Sequence, residues 1–139
     1  MRNVPTVCVR EITDSVIKFE ENRSVLRFLN PKRRAYKRVQ VDGCAITEGL
    51  KCDNLLTNQD ETEERFVELK GTDIPHGLDQ LRASILLLGE HIEGRRAYLI
   101  FTACSTAFST KIQLAKMEFK RKYNAELIAK RTPWEERLN

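Results

Sequence analysis

A chain of 139 residues with 41% hydrophobic content is long enough for one domain with its own core and too short for two comfortable ones. With 32% charged residues, a formal net charge of +4 and a pI near 9.0, it reads as a soluble protein whose charge leans toward a polyanionic partner. No stretch reaches membrane-spanning length, and no apolar run follows Arg2 as in a secretory leader, so no membrane contact and a cytoplasmic site of action are expected. Cys8, Cys44, Cys52 and Cys104 form no CxxC pair, and the two histidines complete no zinc pattern. The four thiols are therefore expected to be buried and reduced.

The first predicted element is a helix. Val9, Ile12, Val16 and Phe19 recur at helical spacing, which predicts an amphipathic helix from about Pro5 to Glu21. Ser24 to Asn30 and Tyr36 to Asp42 read as the strands of a hairpin turned at Asn30-Pro31. Cys52 to Thr57 predicts a short strand, and the acidic run Asp60, Glu61, Glu63, Glu64 a solvated loop. A strand follows over Arg65 to Lys70 and is ended by Gly71. Pro75 suits the first turn of the next helix, whose stripe of Leu78, Leu81, Ile85 and Leu88 faces a core. Arg96 to Thr102 reads as a buried strand, and Lys111 to about Lys130 as a long basic helix. Pro133 and Trp134 are expected to cap a core, and His91 to lie at the surface. The resulting expectation is a single α/β domain over residues 1–139, a mixed sheet with an antiparallel meander followed by helix, strand and helix.

The chemistry concentrates in Phe66-Val67-Glu68-Leu69-Lys70. Strand alternation puts Phe66, Glu68 and Lys70 on one face and Val67 and Leu69 on the other. Fourteen residues separate Asp53 from Glu68, enough for a hairpin to bring the two carboxylates together as D-x14-E-x-K. Two converging carboxylates make a hard-oxygen pocket for Mg²⁺ or Mn²⁺, with the main-chain carbonyl of Leu69 as a further ligand and Lys70 beside the water to be activated. His76, Gln80 and Ser84 share one helical face, and Gln80 is the member expected at the site. For His76, a place in the helix's first turn competes with a catalytic one. Asp42-Gly43 and Glu48-Gly49 are read as turn chemistry.

The run from Cys52-Asp53 through Phe66-Val67-Glu68-Leu69-Lys70-Gly71 to Asp79-Gln80-Leu81 resembles the PD-(D/E)XK nuclease superfamily, which includes restriction endonucleases and archaeal Holliday-junction resolvases. The match departs from the motif at Cys52, where the pattern has Pro. The resemblance implies a restriction-endonuclease-like core, with Asp53, Glu68, Lys70 and Gln80 as the catalytic set. It also implies metal held by Asp53, Glu68, Leu69 and an acid from the first helix, assigned to Glu20, with Glu21 and then Glu11 as alternatives. Lys32, Arg33, Arg34, Lys37 and Arg38 put five cations in seven residues, and Lys120, Arg121 and Lys122 load the last helix. Both are expected to contact nucleic acid. With no aromatic ladder or base-reading motif, the backbone is the expected target, DNA before RNA, with a homodimer among the arrangements and no organic cofactor. The rival expectation is a catalytically silent nuclease-fold protein that binds nucleic acid or a protein partner in a defence or mobile-element system.

Overall fold

The computed structural model describes residues 1–90 and 93–138, so His91 lies outside the described residues. A 3-10 turn over Thr6–Cys8 leads into β1 (Val9–Ile12), β2 (Val16–Glu21), β3 (Ser24–Leu29), β4 (Tyr36–Gln40), β5 (Asn54–Asn58) and β6 (Glu63–Leu69). Then come α1 (Ile74–Leu88), β7 (Gly94–Phe101), α2 (Thr106–Tyr123), β8 (Ala125–Arg131) and β9 (Trp134–Arg137). Six strands form a mixed sheet in the order β1-β4-β5-β6-β7-β8, and β2-β3-β9 form a second, three-stranded sheet. Pairing is antiparallel from β1 through β6 and parallel from β6 to β8, as two helical crossovers require. The chain is thus α/β with two mixed-partner sheets and two helices.

Each face of the large sheet has its own core. On one face, Leu78, Leu81, Ile85 and Leu88 of α1 and Ile112, Ala115 and Phe119 of α2 pack on Leu55, Phe66, Leu99 and Leu127. On the other, Ile17, Phe19, Leu26 and Phe28 of the small sheet pack on Leu56, Val67, Leu69, Tyr98 and Ile100. The central strands β6 and β7 are covered on both sides, which explains their near-continuous burial. The start of α1 follows its predicted logic, with Pro75 in the first turn and the Asp73 side chain accepting the His76 N–H at 3.3 Å.

Several expectations fail for identifiable reasons. The N-terminal segment is strand, not helix. In β2 the apolar residues follow a period of two, with Ile17 and Phe19 buried between exposed Lys18 and Glu20, and the segment's β-branched residues favour strand. A break at Asp14-Ser15 is held by Asn30, whose N–H reaches the Ser15 carbonyl at 2.7 Å and whose side chain reaches the Asp14 carbonyl at 3.0 Å. The strands on either side of Asn30-Pro31 are not a hairpin, because β3 pairs with β2 and β9 while β4 pairs with β1 and β5. The turn passes the chain from one sheet to the other.

The last helix stops at Tyr123, where Asn124 adopts a left-handed conformation (φ 49°), and the rest of the basic segment is strand β8 beside β7. Glu63 and Glu64 belong to β6 rather than to a loop, and Glu64 is fully buried. Cys8 and Cys44 form a disulfide, leaving Cys52 and Cys104 as the free thiols. That bridge removes the support that four reduced thiols lent to a cytoplasmic location. No helix among the described residues is long and apolar enough to cross a membrane. Trp134 lies in β9, half-buried against the inter-sheet core, with the Lys130 ammonium 4.9 Å from its ring centre.

Candidate active site

Strand alternation within β6 places its side chains as expected. Val67 and Leu69 enter the core between the sheets, while Phe66 and Glu68 turn toward the helices. α1 can pass close above Glu68 and Lys70 because Gly77 has no side chain. A Cβ there would come within 2.7 Å of Leu99 Cδ1 and 3.0 Å of Lys70 Cγ.

Asp53 is fixed at the start of β5 by main chain on two sides. Its Oδ2 accepts the Leu69 N–H at 2.8 Å, and its own N–H donates to Val67 O at 3.1 Å. Its carbonyl accepts from the N–H groups of Val41 and Asp42 at 3.2 and 3.3 Å. The segment before it is held by α1: Gln80 Nε2 donates to Lys51 O at 2.9 Å, and Ser84 Oγ accepts the Cys52 N–H at 2.7 Å. Gln80 is therefore a positioning residue for the Asp53 segment. Its Oε1 is buried without a partner among the described residues. His76 is exposed in the first turn of α1.

The electrostatics of the pair are unfavourable as they stand. Glu68 is 1% exposed; its Oε2 lies 3.4 Å from Lys70 Nζ, and its Oε1 has no hydrogen-bond partner among the described residues. Burial pushes the Glu68 carboxyl up to about 8, the Asp53 charge adds to the rise, and Lys70 opposes it. Burial likewise raises Asp53 to about 7, against the lowering effect of the Leu69 N–H, with Glu21 contributing a further rise. The thiol of Cys52, fully buried next door, is pushed up to about 12 by desolvation, so it is held as a neutral core group.

The sequence assigned the third acid to Glu20, and the structure brings up its neighbour. Glu20 is exposed and sits 2.6 Å from Lys18 Nζ, an ion pair that lowers its carboxyl below the usual range. Glu21, one residue on and on the opposite side of β2, bears on Asp53 through its charge and hydrogen bonding, and the charge of Asp42 adds a further rise. Glu11 lies on edge strand β1, where its carboxylate accepts from Gln59 at 2.9 Å. The hairpin turn after Glu21 also clamps the end of β6: Asn22 Nδ2 donates to Leu69 O at 3.0 Å and Ser24 Oγ donates to Lys70 O at 2.6 Å. The Leu69 carbonyl is thus already bonded.

The cations expected to hold nucleic acid are not gathered here. Strand register puts Tyr36 opposite Asn58 and Thr57 opposite Glu64, so Lys32, Arg33 and Arg34 lie at the end of the sheet away from Glu68. Lys120, Arg121 and Lys122 end α2 near the Arg95↔Ala125 pair, at that same far end. Lys37 is paired with Glu61 at 2.8 Å, and Arg38 lies over the Phe19 ring at 4.0 Å. The cations at the Glu68 end include Arg23 in the β2–β3 turn, Lys51, Lys70, Lys130 opposite Ile100, and Arg131, whose Nε donates to Thr102 O at 3.0 Å. Sequence neighbours gave no hint of this grouping, since it depends on which strand ends meet.

No protein family, curated protein or solved structure matches the chain. Among the described residues, no group of three or more His, Cys, Asp and Glu side chains is drawn together closely enough to hold a metal ion. The donor set fits a small hard cation nonetheless. Mg²⁺ is commonly bound through one or two carboxylates, with water and substrate oxygens completing its shell. Asp53 and Glu68 supply two such groups, and the partnerless Oε1 of Glu68 is a lone-pair donor with nothing to receive it.

Proposed function

We propose that this chain is a Mg²⁺- or Mn²⁺-dependent phosphodiesterase with a restriction-endonuclease-like core, hydrolysing the backbone of nucleic acid, DNA before RNA. The observation that carries the reading is the buried carboxylate pair, with Glu68 Oε1 left partnerless at the end of a central strand. Keeping such a group in a fold is costly unless something binds it. The antiparallel run β4-β5-β6, followed by α1, the parallel strand β7 and α2, supports the same core.

Asp53 and Glu68 would hold the cation, with Glu21 at its outer side. When bound, the ion supplies a lowered water pKa and stabilises charge on the phosphate. Lys70, tethered to Glu68 and 16% exposed in its side chain, orients the attacking water and offsets negative charge as the phosphorus centre is attacked. Gln80 and Ser84 keep Asp53 in place by holding the two residues before it.

Cleavage of a labelled oligonucleotide with Mn²⁺, compared between the parent and Lys70→Met, tests this reading. The variant is expected to bind Mn²⁺ as the parent does and to cut about 100-fold more slowly or worse. Equal rates would remove Lys70 from the chemistry and reduce its pairing with Glu68 to a structural contact. One observation favours the silent-fold alternative: the Leu69 carbonyl is engaged by Asn22 rather than free for a metal. Mn²⁺ binding without cleavage of single-stranded, duplex or branched substrates would decide for that alternative.

A further inference from the structure

Arg10 on edge strand β1 stands directly opposite Arg38 on β4. Like charges facing each other across a strand pair destabilise a sheet. Among the described residues neither arginine forms an ion pair, and Asp14 is the carboxylate whose charge reaches Arg38. Burial pushes the Arg38 guanidinium below its usual value, and the Arg10 charge pushes it further. Arg38 is nevertheless held in place by the Phe19 ring, 4.0 Å from its guanidinium carbon.

The two arginines line an open groove of about 380 Å³ together with Gln40 and Asn54. Gln40 and Asn54 are themselves a register pair, and Asn54 stands opposite Val67, so the groove opens on the small-sheet face of the large sheet. Its chemistry is two guanidiniums and two amides, with Val7, 88% exposed, at the rim.

We infer that this groove seats the phosphodiester backbone of a nucleic-acid strand, with Arg10 and Arg38 on successive phosphates and Gln40 and Asn54 on the sugar-phosphate beside them. Guanidiniums match phosphate oxygens in two-point geometry, and an anion there relieves the Arg10–Arg38 repulsion. The inference rests on the proposed phosphodiesterase reading for the identity of the strand, and it replaces the basic turn and the end of α2 as the principal contact.

Binding of a fluorescein-labelled single-stranded DNA, measured in EDTA over a series of salt concentrations, tests the groove independently of cleavage. Arg10 is exposed, so Arg10→Gln leaves the core intact. The variant is expected to bind more weakly and to lower the log–log salt slope by about 0.7, the contribution of one phosphate contact on a single strand. Lys122→Gln, at the far end of the sheet, is expected to keep the parent slope. An unchanged slope in Arg10→Gln, an equal fall in Lys122→Gln, or no binding by the parent at low salt would each overturn the groove. Mn²⁺-dependent cleavage by the parent is scored separately, so loss of the nuclease reading and loss of the groove are distinguishable.

Discussion

Strand β6 carries two buried glutamates four residues apart, and they live in opposite circumstances. Glu64, 0% exposed, accepts from Arg95 Nε at 3.0 Å through one oxygen and from the Glu90 N–H at 3.0 Å through the other. Glu68, 1% exposed, has one oxygen at 3.4 Å from Lys70 and one with no partner among the described residues. Both are equally hidden from water, so burial alone does not mark function. What differs is whether the low-dielectric surroundings return hydrogen bonds for the water that was lost. Glu64 is a structural joint between β6 and β7, whereas Glu68 is the carboxylate that the proposed function assigns to a cation.

The largest effect should come from breaking the satisfied end. Glu64→Gln leaves the Arg95 guanidinium, 9% exposed, facing a neutral partner, and removing one member of a buried pair typically costs about 3–5 kcal/mol. Urea denaturation of the chelator-treated protein at pH 8 checks this. Glu68→Gln in the same assay should raise stability, because it removes a buried charge that Lys70 compensates only in part. Comparable losses in the two variants would erase the distinction drawn between them.

A second, smaller effect follows from the carboxyls raised to about 7 at Asp53 and about 8 at Glu68. Unfolded, these groups release their protons near pH 4. Between about pH 4 and pH 8 the folded chain therefore holds protons that the unfolded chain has lost. Without metal, stability from this pair is greatest at the acid end of that window and falls as pH rises through it. The melting temperature in EDTA should be higher at pH 5.5 than at pH 8.5, and Glu68→Gln should reduce the difference. A parent whose metal-free stability rises over that interval would contradict the direction of both shifts.

How much of this was legible in the amino-acid order follows the reach of each signal. The faces of Phe66 to Lys70 and the apolar stripe of α1 are local periodicities, and both stand in the structure. The segment from Val9 to Phe19 carries helical spacing, yet Val9–Ile12 pairs with β4 in the large sheet and Val16–Glu21 with β3 in the small one, and that long-range pairing decides in favour of strand. The basic stretch after Tyr123 reads as more helix until a left-handed Asn124 and pairing with β7 end it. Glu64 read as loop because its partner Arg95 lies 31 residues further on. Glu21, rather than Glu20, bears on Asp53 because alternation along β2 turns it to the side opposite Lys18 and Glu20, which sequence adjacency does not specify. The Arg10–Arg38 groove depends on the register of an edge strand that the sequence presented as helix.

The central claim is that Asp53 and Glu68 wait for a divalent cation, and calorimetric titration of Mn²⁺ at pH 7 tests it most directly. Run in two buffers of different ionisation enthalpy, the titration should show one binding event that releases about one proton or more, because ligation requires the raised carboxyls to ionise. Asp53→Asn should weaken that event strongly. Binding without proton release, or an affinity unchanged by Asp53→Asn, would place the cation elsewhere and leave the partnerless oxygen of Glu68 without the role assigned to it.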